Sequence, residues 1–320
     1  MVSPGQLPQP VLAPFRIAPR FVGRVWGSLD LHPWYDRTAE GGGEPIGEVW
    51  LTGDECVVAT GQHAGQTLGE VFREASQALL GANAPSAESP LLIKVIFAKQ
   101  KLSVQVHPDD RMARKYGQPR GKTECWYALS AEPGAEVAAG LKPGVTLDQI
   151  KAGIHDGTLE ESLNLLPISA GDMVFVDAGT VHAIGPGVVL LETQQTCDVT
   201  FRMYDYGRPR ELHVEQALKV MKLKTAAGKV RPVAMDRFTR LIEQKYFVVD
   251  RYDVAAGGEV VVPTQGPGCL VGLTGGGTVF GGAEGQVELL PGKAVVIPSD
   301  CPSIVFKAEV GASFVKCWAP

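Results

Sequence analysis

The sequence predicts a mainly β fold in two successive units, with a few short helices in the first. Three observations carry that reading. Thirty-eight glycines and 23 prolines in 320 residues supply turns at short intervals and leave little room for long helices. Apolar residues alternate, or cluster in β-branched runs, along most of the chain. Beyond about residue 240 the pattern is almost purely of this kind, and 320 residues are enough to bury two separate cores.

In chain order, the proline-rich stretch Met1–Arg20 lacks the apolar centre of an export signal. Thr67–Leu80 reads as a helix, because Leu68, Val71, Phe72, Ala75 and Leu79 follow the helical period and Gly81 suits its C-terminal cap. Leu91–Phe97, Lys101–His107 and Cys125–Leu129 read as strands bounded by Gly, Pro or Asp. Helical stretches follow at Thr146–Gly153 and, shorter, near Thr158–Asn164. Met173–Asp177, Val188–Thr193 and Val199–Tyr204 are strands; Glu211–Leu223 is a helix with Val214, Ala217, Leu218 and Met221 on one face. Lys224–Arg231 reads as a linker, separating a domain at 1–230 from a β domain at 231–320. The latter has strands at Tyr246–Val254, Gly258–Val262, Gly268–Thr274, Gly277–Phe280, Ala294–Ile297 and Ser313–Trp318. Ser169–His182 is echoed in shape by Leu290–Ser303, with Ser303 falling where the first copy has His182.

Composition narrows the partners. A net charge near −5 without long charge blocks argues against nucleic acid or an anionic membrane surface, while a local cationic pocket for a small anion remains open. No run reaches the roughly 18 apolar residues that span a bilayer. The cysteines at 56, 125, 197, 269, 301 and 317 form no Cys-x-x-Cys pair, which suits buried, reduced thiols and a cytoplasmic location. Either a monomer or a homodimer is compatible with this.

Four short runs look like parts of one metal site: Ser103–Pro108, Lys122–Trp126, Gly179–Ala183 and Phe201–Asp205. In a strand Ser103, Gln105 and His107 share one face and Val104 and Val106 the other, as suits a polar cavity wall backed by apolar packing. Glu124, His182 and Arg202 come from later strands, as when a barrel gathers distant segments around one cavity. All six histidines (32, 63, 107, 155, 182 and 213) precede residue 214, so imidazole chemistry is confined to the first β unit. His32, His63, His155 and His213 read as structural or surface residues, and Trp126 and Tyr127 as core.

The segment from Gly171 through Asp177 to His182 resembles the second signature of cupin barrels, and Gln105-Val106-His107 stands where the first signature has His-x-His. More specifically, the chain resembles the type I mannose-6-phosphate isomerases in their shorter bacterial form. The matching runs, in the family's order, are Ile46–Trp50, Leu92–Lys94, Leu102–Pro108, Lys122–Glu124, Gly179–Ala183, Asp198–Arg202 and Gly207–His213. The resemblance implies two cupin-like jelly-roll barrels and one zinc ion (Zn2+) held by Gln105, His107, Glu124 and His182. It also implies Arg202 in the active site, Lys94, Lys122 and Asp198 at the pocket, and a small sugar phosphate as partner. Gly121 stands where some relatives have His, so that imidazole has no counterpart here.

Aldose–ketose isomerisation shifts a proton between adjacent carbons through an enediol(ate), so the site must stabilise oxyanion charge and supply a base. Lys122, two residues from Glu124 and near cationic neighbours, is the candidate for proton transfer. Arg202 suits enediolate stabilisation or a phosphate clamp, Asp198 the orientation of Arg202 or Lys122, and Lys94 and Ser103 the phosphate. Two rivals stand beside this reading. Another metal-dependent cupin enzyme, such as an oxygenase, gives Lys122 and Arg202 no task; a non-catalytic sugar-phosphate-binding cupin leaves the proton-transfer set unexplained.

Overall fold

The computed structural model describes residues 12–37, 43–81, 88–264, 266–282 and 285–320; the first part of the proline-rich Met1–Arg20 stretch lies outside them. The described strands pair antiparallel with their neighbours, and no described helix is long and apolar enough to cross a membrane. The fold is mainly β, as the pattern requires.

One compact unit comprises Pro19–Gly53 and Pro90–Asp250. Its larger sheet orders the strands Gly228–Val230, Met173–Val176, Glu124–Ala131, Val188–Gln195, Leu91–Ala98, Ile46–Trp50 and Arg20–Ser28. Its smaller sheet orders Phe201–Tyr204, Val104–Val106, His182–Ile184, Glu136–Leu141 and Leu163–Pro167. Alternation sets the direction of each side chain. Val137, Ala139 and Ile184 of the smaller sheet pack with Ile96, Trp126, Ala128, Val174, Val176 and Leu190 of the larger one, forming the core between the sheets. Their neighbours Val104, Val106, Ala138, Ala183, Phe201 and Met203 turn outward and pack with Ile150, Leu159, Ala217 and Val220 from the helical elements. Helices at Leu147–Asp156 and Val214–Val220 and a 3-10 turn at Leu159–Ser162 therefore roof the outer face of the smaller sheet. The inner ends of its strands are left free for polar side chains.

The other unit comprises Met1–Ala18, Asp54–Ser89 and Arg251–Pro320. Within it Phe15–Ile17, Ala294–Ile297, Gly268–Thr274 and Ala312–Trp318 are neighbours in one sheet, and Glu259–Pro263, Ser303–Ala308, Gly277–Gly281 and Gly285–Leu289 form another. The shape echo holds at the level of strands. Met173–Val176 and His182–Ile184 correspond in place to Ala294–Ile297 and Ser303–Ala308, and Ser303 is exposed.

Several elements differ from the sequence reading. A cut at residue 230 does not describe the units: Phe15–Ile17 pairs with Ala294–Ile297, and the backbone N–H groups of Ser299 and Asp300 donate to the Leu79 and Ala78 carbonyls, so two early segments join the late strands. The stretch read as a linker contributes Gly228–Val230 to an edge of the larger sheet against Met173–Phe175; three residues are too few to show alternation. The 67–80 helix is two helices, Leu68–Glu74 and Ser76–Leu80, because Ala75 leaves helical geometry at φ −123°. A further helix, Asp110–Lys115, is short and polar, so no apolar period announces it; Asp109 caps it, accepting from the Met112 N–H at 2.9 Å.

Leu190, fully buried between the sheets, tests that core. Leu190→Ala should lower stability by about 2–5 kcal/mol; a denaturant midpoint unchanged from the parent would contradict the packing described.

Candidate metal and substrate site

Gln105 lies on the second strand of the smaller sheet, with His182 opposite it on one neighbouring strand and Arg202 on the other. Cross-strand partners point the same way, so these three side chains converge on the inner face together with Ser103 and His107. Glu124 arrives from the larger sheet. Its Oε2 lies 3.6 Å from His107 Nε2 and its Oε1 3.4 Å from His182 Nε2. The three ligand atoms all fall within 4.8 Å of one another, and all three residues are buried.

The remaining nitrogen of each imidazole is held in place. His107 Nδ1 lies 3.1 Å from the Val199 carbonyl and His182 Nδ1 2.9 Å from the Thr180 carbonyl. A carbonyl can only accept, so each Nδ1 carries the proton and each Nε2 offers its lone pair inward. Burial, followed by Lys122 and His182, pulls the His107 pKa well below its ordinary value; burial brings that of His182 down to about 4. Both rings are therefore neutral at pH 7, the ligating form. Burial and the nearby Glu192 push the Glu124 carboxyl up, against the pull of Lys122 and Lys94. His107 Nε2 and Glu124 Oε2 are buried without a hydrogen-bond partner, an arrangement that costs about 1–3 kcal/mol per group if nothing compensates it. A divalent cation between these lone pairs removes that cost, and two imidazoles with one carboxylate are a donor set suited to one. Gln105 stands beside the cluster, but its Nε2 faces His182 Nε2 at 3.3 Å while its Oε1 accepts from the Ser103 hydroxyl at 3.2 Å. Ligation through oxygen requires that amide to turn.

A second buried cluster lies on the larger sheet. Lys94, Glu192 and Trp126 are directly opposite one another on three successive strands. Lys94 Nζ lies 2.7 Å from Glu192 Oε2 and 3.9 Å from Glu48 Oε1, and Trp126 Nε1 donates to Glu192 Oε1 at 3.0 Å. Glu48 also accepts from Arg24 and from Trp50 Nε1. Burial works against the Lys94 ammonium, yet Glu192 and Glu48 outweigh it and hold its pKa above the ordinary value. Trp126 is core, as expected, and also a hydrogen-bond donor to this network.

A cavity of about 400 Å³ opens on the second cluster and on Gln105 and Lys122 beside the first; His107, Glu124 and His182 are not among its lining residues. Ser103, Gln105, Lys94, Lys122 and Arg202, all expected at the site, line it, and so do Glu48, Glu192, Arg24, Thr200 and Arg210. Lys122 is buried, with Nζ 3.9 Å from Glu124 Oε2. Arg202 gives Nη1 to the Glu211 carbonyl at 2.7 Å, while its Nε is buried without a partner. Burial, then Arg210, lowers its pKa. Arg210 is held by Asp205 through two bonds of 2.6 and 2.7 Å.

Asp198 departs from expectation. It is exposed, outside the cavity lining, and its backbone N–H reaches Gln118 Oε1 at 3.5 Å. The strand starts at Phe201, not Val199, so the alternation that aligned Asp198 with Arg202 does not extend back to it. His213 is structural in a specific way: its backbone N–H donates to the Arg202 carbonyl at 2.7 Å, and its Nδ1 accepts from the Arg202 N–H at 3.3 Å. Glu192 was overlooked in sequence, although an acid among Leu190, Leu191 and Thr193 is the same anomaly that marked Lys94. Glu48 was inside a matched run without a role, and Arg24 and Arg210 gave no signal.

A sequence model of the phosphomannose isomerase type I catalytic domain matches residues 15–144. The chain is 33% identical over 304 residues to a mannose-6-phosphate isomerase of Streptococcus mutans, covering 90% of this chain and 93% of that protein. It is 33% identical over 294 residues to mannose-6-phosphate isomerase ManA of Bacillus subtilis, covering 88% and 89%. Among solved structures, mannose 6-phosphate isomerase from Bacillus subtilis superposes with a TM-score of 0.84 at 27% identity, over 95% of this chain and 99% of that one. A variant of phosphomannose isomerase from Salmonella typhimurium shares the fold at a TM-score of 0.78 and 18% identity, over 96% and 99%.

The charge network makes a pH prediction. Burial alone raises the Glu48 pKa, but Lys94, Arg24 and the Trp50 N–H bring it from 4.5 down to about 2. A depressed folded-state pKa stabilises above the unfolded value and ceases to do so as pH falls through the folded one. Glu48→Gln should therefore be less stable than the parent above pH 4.5, with the difference shrinking as pH falls toward 2. A gap in denaturation midpoint that stays constant across that window would refute the assignment.

Proposed function

The chain belongs to the type I mannose-6-phosphate isomerases, and from that premise we propose that it interconverts mannose 6-phosphate and fructose 6-phosphate using one zinc ion. The observation that carries the proposal is the set of lone pairs on His107, Glu124 and His182 that face one another, two of their atoms without a partner, with Lys122 Nζ 3.9 Å from Glu124 Oε2 and lining a cavity that Arg202 also lines. His107, Glu124 and His182 would hold the ion, with Gln105 joining once its amide turns. When bound, it supplies a Lewis acid that stabilises negative charge developing on substrate oxygens.

The chain's own groups account for the rest. Lys122 carries the proton between C1 and C2: it leaves C2 of the aldose, the electron pair enters the C1–C2 bond, and charge collects on the C1 oxygen. Return of the proton to C1, with loss of the C2 hydroxyl proton to the C1 oxygen, gives the ketose. Arg202 lines the cavity and its Nε has no partner, so it has a donor to offer an oxyanion there. The phosphoryl group is best received by Arg202 and Arg210, the latter held by Asp205. Lys94 was expected to bind phosphate, but its engagement with Glu192 and Glu48 favours a role in balancing charge. Ser103, bonded to Gln105, favours orienting that amide. The catalytic role thus falls to the unit containing residues 90–250, which holds His107, Glu124 and His182. The six buried free thiols suit a reducing cytoplasm.

A coupled assay for fructose 6-phosphate should show turnover of mannose 6-phosphate that is lost with a chelator and restored by zinc. No product from the parent protein would overturn the isomerase reading, and chelator-insensitive product the metal role. Lys122→Met should lower kcat by about 10²- to 10⁴-fold with zinc content unchanged; near-parent turnover would remove Lys122 from proton transfer. Glu124→Gln should lose both zinc and activity.

A further inference from the structure

A base two residues from a metal ligand acts only if its backbone is fixed, and the structure shows what fixes it. Lys122 precedes the strand Glu124–Ala131, in a loop that has no ladder of its own. The Asp110 carboxylate faces this loop. Its Oδ1 accepts from the Gly121 N–H at 2.8 Å and from Gln195 Nε2 at 3.1 Å, and its Oδ2 accepts from the Tyr246 hydroxyl at 2.7 Å. Gln195 completes the clamp on the far side of Lys122: its Oε1 accepts from the Thr123 N–H at 3.0 Å and its N–H donates to the Thr123 carbonyl at 3.1 Å. The Lys122 N–H donates to the Pro108 carbonyl at 3.0 Å, next to His107.

The contact leaves no room for slack. A Cβ on Gly121 would lie 2.6 Å from the Asp109 carbonyl carbon and 2.7 Å from both Asp110 N and the Pro108 oxygen, so backbone lies directly on backbone. Asp110 is not needed as the helix cap, because Asp109 fills that position. Its carboxylate is engaged by three donors from three separate segments, ending in the loop before Lys122, the strand of Glu192, and the segment before Val248–Val254.

We propose that Asp110, acting with Gln195, is a positioning residue that sets the reach of Lys122 to the substrate carbons. This rests on the isomerase reading. It touches neither the substrate nor the metal ligands, so its loss should appear in kcat and leave metal binding and KM nearly alone. Displacements near 1 Å at a reacting group cost about 10²-fold. Asn at this position retains an acceptor oxygen for Gly121 and Gln195 and presents an amide N–H to the Tyr246 oxygen, so it should preserve the clamp.

The test compares the full-length zinc-loaded parent with Asp110→Ala, Asp110→Asn and Gln195→Ala in the coupled assay, with zinc content measured on each. Asp110→Ala should lose about 10- to 100-fold in kcat at near-parent KM and zinc content, with Asp110→Asn recovering most of it. Asp110→Ala together with Gln195→Ala should cost far less than the product of the single effects. Parent activity with Asp110→Ala within about twofold in kcat would overturn the inference. So would loss of zinc in step with activity, or failure of Asn to rescue. If Asp110→Ala does not fold, Gln195→Ala decides by the same criteria. An inactive parent protein would instead refute the isomerase reading itself.

Discussion

Everything in the catalytic unit is organised around placing charge where water is scarce. Lys94, Lys122, Glu48, Glu124 and Glu192 are all under one-tenth exposed, alongside two neutral imidazoles. Isolated ions at such depth are prohibitive unless paired. Lys94 answers Glu192 and Glu48, Arg24 adds a second cation at Glu48, and Lys122 stands by Glu124. Three cations thus face three carboxylates, and a divalent ion leaves the interior cationic by two charges. A phosphoryl dianion and a transient oxyanion are the species that such an excess attracts.

The sheet register carries this balance. Opposite pairing of Lys94, Glu192 and Trp126 makes an ion pair and a hydrogen bond from three strands that are distant in sequence. A slip of one residue would turn the entire row to the other face. The apolar outer face, with Val104, Val106, Phe201 and Met203 under the helices, holds the register from behind. Specific chemistry on one side of the smaller sheet therefore rests on unspecific hydrophobic packing on the other.

What could be read in the sequence follows from range. Ser103, Gln105 and His107 declare a common face through two-residue spacing, and Lys122 and Glu124 do the same, so the metal cluster and its neighbouring lysine were legible. Lys94 stood out as a cation in an apolar strand, but its partner lies nearly a hundred residues on, and only register identifies it. Arg24 and Arg210 look like ordinary surface arginines until the cavity forms. Asp198 was misplaced because a strand starts two residues later than its pattern suggests. The units were drawn wrongly across the termini for a related reason: a three-residue strand, Phe15–Ile17, has no pattern long enough to reveal a partner at Ala294–Ile297.

That last pairing bears on how the chain is made. During synthesis Phe15–Ile17 is made long before its partner Ala294–Ile297 leaves the ribosome. Non-local pairing of this span is slow to close, and an unpaired edge invites other chains in the interval. The strands of both sheets around the metal cluster are available by residue 230, long before the terminal segments meet. Vectorial synthesis thus favours assembling the unit that holds His107, Glu124 and His182 before the other can close its sheet.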